Sequence, residues 1–325
     1  MASIKDVADR AGVSIATVSR VMNRRGALSE KTISKVQEAM KDLHYQPNDL
    51  ARALSGKKES KIIALLSLPL QHPFYSELIT NIEECLFREG YKLLIITSFE
   101  DIIKEENCVN LVQSHMIDGL IIGGHPASEK ILYGSPIPIV TVEASLPDIP
   151  CVISDNNQGG IMAARYLIAR GCRHLVHIGG DMHHESESDR RTRAFEEVCA
   201  AEHIPCTVYE STAGMLRNMD YSAVVSRMLF EHPEADGVFA SSDVIAAEVI
   251  RVTGSMGIRV PDQLKVIGFD NVRMARLMNP PLTTIGQDFG ELAQQTVQKI
   301  LKQIHGEPVE MRTVIPVTLV ERQSV

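Results

Sequence analysis

Apolar positions in the first 45 residues recur at helical spacing in three short bursts. Ser3 precedes IKDVADRA with Asp6 three residues on, which resembles a capping box for a helix carrying Ile4, Val7, Ala8 and Ala11 on one face, and Gly12 ends it. Ser14 caps a second helix, ATVSRVMN, in which Val18, Val21 and Met22 turn inward and Ser14, Ile15, Ala16, Ser19 and Arg20 are left outside. Ser29 caps a third, EKTISKVQEAMKDL, with Ile33, Val36, Met40 and Leu43 as its stripe. The tight turn between the first two predicts a helix-turn-helix, the geometry that lays its second helix in a major groove. Asn48 can cap one further helix of about eight residues ending near Gly56, too short to stand alone in water. It needs a partner to form; the alternative is a flexible tether.

From Lys61 the pattern changes. Short apolar runs such as KIIALLSLP, YKLLIITS, DGLIIGG, IPIVTVE, HLVHIGG, GVFASSD and LKVIGFD alternate with helical segments such as SELITNIEECLFREG and GGIMAARYLIARG. Continuous apolar strands between helices imply parallel sheets, and the length predicts two doubly wound lobes. The expected fold class is α/β: a small all-α head with a hinge helix, then two parallel-sheet subdomains. The expected boundaries are a head over 1–46, a hinge over 47–60, and a body over 61–325. Within the body, one subdomain takes about 61–158 plus 287–315, the other about 159–286 plus the C-terminal strand.

Composition adds one asymmetry. Residues 1–60 hold six Lys and five Arg against four Asp and three Glu, a balance of +4, while the remainder carries −12. A basic head on an acidic body points to nucleic-acid contact by the head. No apolar run approaches the ~20 residues of a membrane span, and MASIKDVADR already carries four charges, so a cytoplasmic protein with no membrane partner is expected. Six cysteines without a CxxC pair predict buried, reduced thiols, with no metal and no cofactor. The histidines, His174, His177, His183, His184 and His203, lack ligand spacing and read as surface or capping residues.

IKDVADRAGVSIATVSRVMN followed by LSEKTISKVQEAMKDLHYQPNDLARAL resembles the DNA-binding head of the lactose/galactose repressor family without gaps over about 55 residues. The resemblance implies that Ile15, Ala16 and Arg20 reach base edges. The chemistry fits: an Arg can grip guanine O6 and N7, and small apolar side chains can touch a thymine methyl. Ser14, Thr17, Ser19 and Asn23 read as phosphate contacts or caps. A core role for Ile15 is the alternative. The resemblance also implies that hinge helices of two subunits pair over the operator centre, with Leu54 as a minor-groove wedge.

The resemblance extends over the body, where it implies a sugar-type periplasmic binding protein fold with three crossovers. Ligands of such sheets bind beyond the carboxyl ends of the strands. There Phe74 and Tyr75 match aromatic effector contacts, Arg191 matches a family arginine (with Ala194 in place of a Gly), and Asp270 in GFDN matches an effector-binding acid. Asp243 and Met215 are further carry-overs. An Arg and an Asp facing each other across a cleft can clasp vicinal hydroxyls over an aromatic floor, or simply form an interlobe ion pair.

The expectation is therefore a non-enzymatic repressor that binds a near-palindromic double-stranded operator as a homodimer. A sugar or sugar phosphate is the expected effector; the alternatives are a purine-type corepressor and control by a phosphoprotein. A transport protein would share the body without the basic head. A doubly wound enzyme would need a nucleotide or catalytic motif, and no GxSxG or HExxH occurs.

Overall fold

Ser3 opens the chain's first helix as its capping residues demand: its hydroxyl accepts from Asp6 N at 3.3 Å, and the Asp6 carboxylate accepts from Ser3 N at 2.7 Å. Helix α1 (Ile4–Ala11) ends at Gly12, whose φ of 67° is the left-handed conformation that glycine adopts without strain. Helices α2 (Ile15–Met22) and α3 (Glu30–Asp42) follow, the latter capped by Ser29. Val7, Ala8, Ala11, Val18, Val36 and Ala39 are buried together. Val36, Met40 and Leu43 of the expected α3 stripe join this core, with Ala39 beside them, whereas Ile33 is half-buried outside it.

The computed structural model describes residues 2–22, 28–45, 60–67, 69–98, 101–114, 116–124, 137–180 and 186–325. The chain divides into two units, 1–60 and 61–325.

The second unit holds two six-stranded sheets. The first is built from β1 (Ile62–Ser67), β2 (Lys92–Thr97), β3 (Gly119–Gly123), β4 (Ile139–Val142), β5 (Cys151–Ser154) and β11 (Arg312–Ile315), in the order β11-β5-β4-β3-β1-β2. The second contains β6 (Leu175–Gly179), β7 (Cys206–Glu210), β8 (Gly237–Ala240), β9 (Lys265–Asp270), β10 (Thr283–Gly286) and β12 (Thr318–Val320), in the order β12-β10-β9-β8-β6-β7. Neighbours are parallel except β12, which runs antiparallel to β10. The chain passes between sheets after β5, after β10 and between β11 and β12, giving three crossovers.

Burial of both sheet faces explains the continuous apolar runs. Ile63 and Leu65 of β1 pack under α4 (Pro73–Arg88) and α11 (Phe289–Ile304), whereas Ala64 and Leu66 join the opposite layer with Leu120 and Ile122. Cover for this opposite face includes Cys108 of α5 (Ile102–Gln113). The second sheet is packed by α6 (Asn156–Ala169), α7 (Asp189–Ala201), α9 (Ser222–Glu231) and α10 (Asp243–Ser255). This is the expected α/β class, an all-α head followed in the chain by two doubly wound subdomains. No described helix is long and apolar enough to cross a membrane. All six cysteines are free; four are buried, and Cys85 and Cys206 are half-buried.

Candidate functional site

In the head, Val18 is fully buried and fixes which side of α2 faces inward. Ile15 is 48% exposed at the start of the helix, and Ala16 and Arg20 are exposed beside it, so Ile15 is not a core residue. Ser14 accepts from Thr17 N at 3.1 Å and shares a 2.9 Å hydrogen bond with the Thr17 hydroxyl, so the two act as the helix cap. Ser19 is half-buried on the same helix. Asn23 and Leu54 lie outside the described residues.

In the body, a cavity of about 290 Å³ opens beyond the carboxyl ends of strands from both sheets. Phe74, Tyr75, Arg191 and Asp270 line it. Phe74 and Tyr75 enter from the first turn of α4 with ring planes 85° apart, so they form a cornered wall rather than two parallel plates. Burial pushes the Tyr75 hydroxyl well above the usual phenol range, keeping it a neutral donor.

Arg191 and Asp270 do not face each other across the cleft: both belong to the second lobe, on α7 and at the end of β9. Arg191 is held by three of its own donors. Nε and Nη2 donate to Asn156 Oδ1 at 2.9 and 2.5 Å, Nη1 donates to Ser241 O at 2.7 Å, and the guanidinium lies 3.5 Å from the Phe269 ring centre. Burial pulls its pKa down, opposed by Asp270 and Glu143.

The first lobe supplies a second acid, Glu143, which was not anticipated. It follows β4 with φ 53°, and Asp270 ends β9 with φ 114°, so both cavity acids sit in backbone conformations costly for residues with a Cβ. Glu143 accepts from Ser154 N at 2.5 Å, the Ser154 hydroxyl donates to Gln287 Oε1 at 2.5 Å, and Gln287 Nε2 donates to Asp270 at 2.7 Å. One hydrogen-bonded chain thus ties the acids of the two lobes together. Burial raises both carboxyl pKa values, and neighbouring Asp243 raises that of Asp270 further.

Two carry-overs are corrected. Asp243 does not line the cavity: it is fully buried behind Asp270, accepting from Val272 N at 2.9 Å and the Thr284 hydroxyl at 2.6 Å, and burial pushes its pKa to about 7. Met215 sits on α8 (Ala213–Asn218) with its side chain against the second-lobe core, while Thr212 and Leu216, four apart, present the cavity-facing side. His72 and Tyr221 also line the cavity and were not anticipated. His177 is a core residue rather than a surface one, its Nδ1 2.8 Å from Phe239 O and its Nε2 2.9 Å from the Thr192 hydroxyl.

Residues 3–48 match the family model of bacterial regulatory proteins, lacI family, and residues 164–325 match that of the periplasmic binding protein-like domain. Over its whole length the chain is 36% identical to the sucrose operon repressor of Streptococcus mutans serotype c, covering all of that protein. It is 34% identical to the ribose operon repressor of Halalkalibacterium halodurans, covering 100% of this chain and 97% of the relative. Its structure resembles the lac repressor dimer bound to operator and the anti-inducer ONPF, with a TM-score of 0.86 and 25% identity over 99% of this chain and 98% of that one.

Proposed function

Because the chain belongs to the lacI family of bacterial regulatory proteins, we propose that it is a repressor of a carbohydrate-utilisation operon, released from or held on its operator by a small-molecule effector. It acts as a homodimer on a near-palindromic site and performs no catalysis. Ile15, Ala16 and Arg20 read bases, while Ser14, Thr17 and Ser19 position the head on phosphates. Phe74, Tyr75, Arg191 and Asp270 hold the effector.

One conjunction carries this proposal: α2 turns Val18 into the head core and leaves Ile15, Ala16 and Arg20 outside, on the chain whose body encloses a cavity, lined by residues of both lobes, in which Arg191, Glu143 and Asp270 stand among apolar side chains. Two lobes joined through the Glu143–Ser154–Gln287–Asp270 chain can adopt different separations. An effector that binds one separation more tightly shifts the population toward it, and with it the spacing of the subunits on DNA.

Fluorescence anisotropy on DNA upstream of the repressor's own gene tests this. The expected result is binding at least ~10³-fold tighter than to random DNA, altered by one effector from a panel of sugars. Equal affinity for operator and random sequence would remove the regulatory reading.

A further inference from the structure

Arg312 opens β11 in the first lobe, yet its side chain reaches the second. Its fork grips Glu187, which stands between β6 and α7: Nη1 donates to Oε1 at 3.0 Å and Nη2 to Oε2 at 3.1 Å. The Glu187 carboxylate is only 4% exposed, and an acid so buried is costly to leave unpaired. It has a second partner. Arg190, one turn on in α7, brings Nε to 2.9 Å of Oε2.

The two arginines behave differently when the lobes move. Arg190 belongs to the same lobe as Glu187 and travels with it, whereas Arg312, at 39% exposure, can turn its guanidinium to water. Separation of the lobes therefore breaks one fork without stranding a buried charge, and their approach remakes it. An acid with no alternative partner would hold one arrangement only; this pair has two allowed states.

The segment that carries Glu187 also borders the cavity. Ser186 and Ser188, on either side of it, both line the space, and their hydroxyls share a 2.7 Å hydrogen bond. Ser188 O accepts from Arg191 N at 3.1 Å, which links the segment to the cavity's cation. A molecule in the cavity thus meets residues whose backbone carries the interlobe bond.

We infer that Glu187 and Arg312 form a reversible latch between the lobes, which sets their resting separation and passes changes at the Ser186–Ser188 wall to the first lobe. This rests on the effector-controlled reading above and names residues through which the lobes are coupled.

Electron–electron distance measurement on the ligand-free full chain tests it. Spin labels on ketone-bearing residues replace Lys302 in the last turn of α11 and Glu202 just after α7, exposed positions in the first and second lobes, and leave the native cysteines alone. Labelled chain is mixed with excess unlabelled chain, so that only distances within one subunit are read. Arg312→Met should raise the population of a second separation by at least about fivefold. Arg312→Lys, which keeps the charge without the fork, should fall between it and wild type. Glu187→Gln added to Arg312→Met should change nothing further. Arg190→Ala leaves the interlobe bonds in place and should keep the wild-type distribution. Because β11 pairs with β5 through its backbone, Arg312→Met should fold, and a cooperative melt checks this. A wild-type distribution in both Arg312→Met and Arg312→Lys overturns the latch, as does an equal shift in Arg190→Ala, and neither result bears on effector control. Operator affinity of wild type that no sugar of the panel alters overturns effector control, while the distances still decide the latch.

Discussion

Gly160 of α6 lies directly against the backbone of Arg191 on α7: a Cβ at position 160 would stand 2.1 Å from the Arg191 carbonyl oxygen and 2.9 Å from its carbonyl carbon. The closeness of the helices at this point sets where the cavity's one described cation sits. Backbone cannot swing aside as a flexible side chain can, so Gly160→Ala must push α7 outward and carry Arg191 away from Asn156. The expected cost is ~1–3 kcal/mol of stability, with effector affinity lost as well. Gly254, near the exposed end of α10, meets nothing within 4 Å, and Gly254→Ala should stabilise by up to ~1 kcal/mol. Thermal melts and calorimetric titration of both variants check the pair, and equal behaviour would show that the α6–α7 approach is not tight.

His177 gives a dependence on pH whose sign is fixed by burial. Its folded-state pKa is held at about 3, against 6.5 for an exposed imidazole, chiefly by burial. The unfolded chain takes up a proton below pH 6.5 while the folded one does not, so stability present above 6.5 is lost as pH falls. Between pH 7 and pH 5 that loss is about 2 kcal/mol for this one group. Asp243, raised to about 7, works in the opposite direction over the same window by a comparable amount, about 2 kcal/mol, so the wild type alone does not show the His177 loss. Denaturant titrations of wild type and His177→Gln at the two pH values separate the terms. The gap between them should move by about 2 kcal/mol in the variant's favour at pH 5; parallel profiles would mean that His177 is not held neutral.

The elements were legible wherever local chemistry sufficed: the Ser3 and Ser29 caps, the Gly12 stop, and strands such as IIALLS whose burial on both faces leaves an unbroken apolar run. Four-residue strands such as CVIS and TTIG carry too few positions to show a period. Glu143 was findable, since it follows the run IPIVTV at the carboxyl end of a strand, where ligands bind. Tyr221 offered no such signal, because it precedes α9 and reaches the cavity only through the packing of the second lobe. The expected boundaries already put Arg191 and Asp270 in one subdomain, about 159–286; matching each residue to a motif separately does not carry the consequence that they stand on the same side of the cavity.

Arg20 and Val18, two residues apart on α2, should fail in different ways. Arg20→Ala removes an exposed donor: operator affinity should drop by ~1–3 kcal/mol, with preference relaxed at one base pair and random-DNA binding weakened only slightly. Substituting Ile15 or Ala16 should change which operator is preferred. Val18→Ala instead empties part of the small head core and should weaken operator and random DNA together by unfolding the head. Binding selections on randomised half-sites distinguish these; uniform losses on all sequences for Arg20→Ala would reduce it to a phosphate contact.

The β2 edge of the first sheet bears on how two copies meet. Among the described residues β2 pairs with β1 alone, and its Leu94 and Ile95 are 37% and 39% exposed, while Ile102 and Ile103 at the start of α5 are 52% and 74% exposed. An apolar edge beside an apolar helix start is costly to leave in water and is the expected homodimer face. Ile103→Glu places a charge there without touching either sheet core, so each chain should stay folded with an unchanged melting temperature at low concentration. Sedimentation analysis should then show monomers. Operator affinity should fall by at least ~10²-fold, because each head would bind its half-site without the effective concentration that its partner supplies. A variant that remains dimeric with full operator affinity would place the subunit interface on another face.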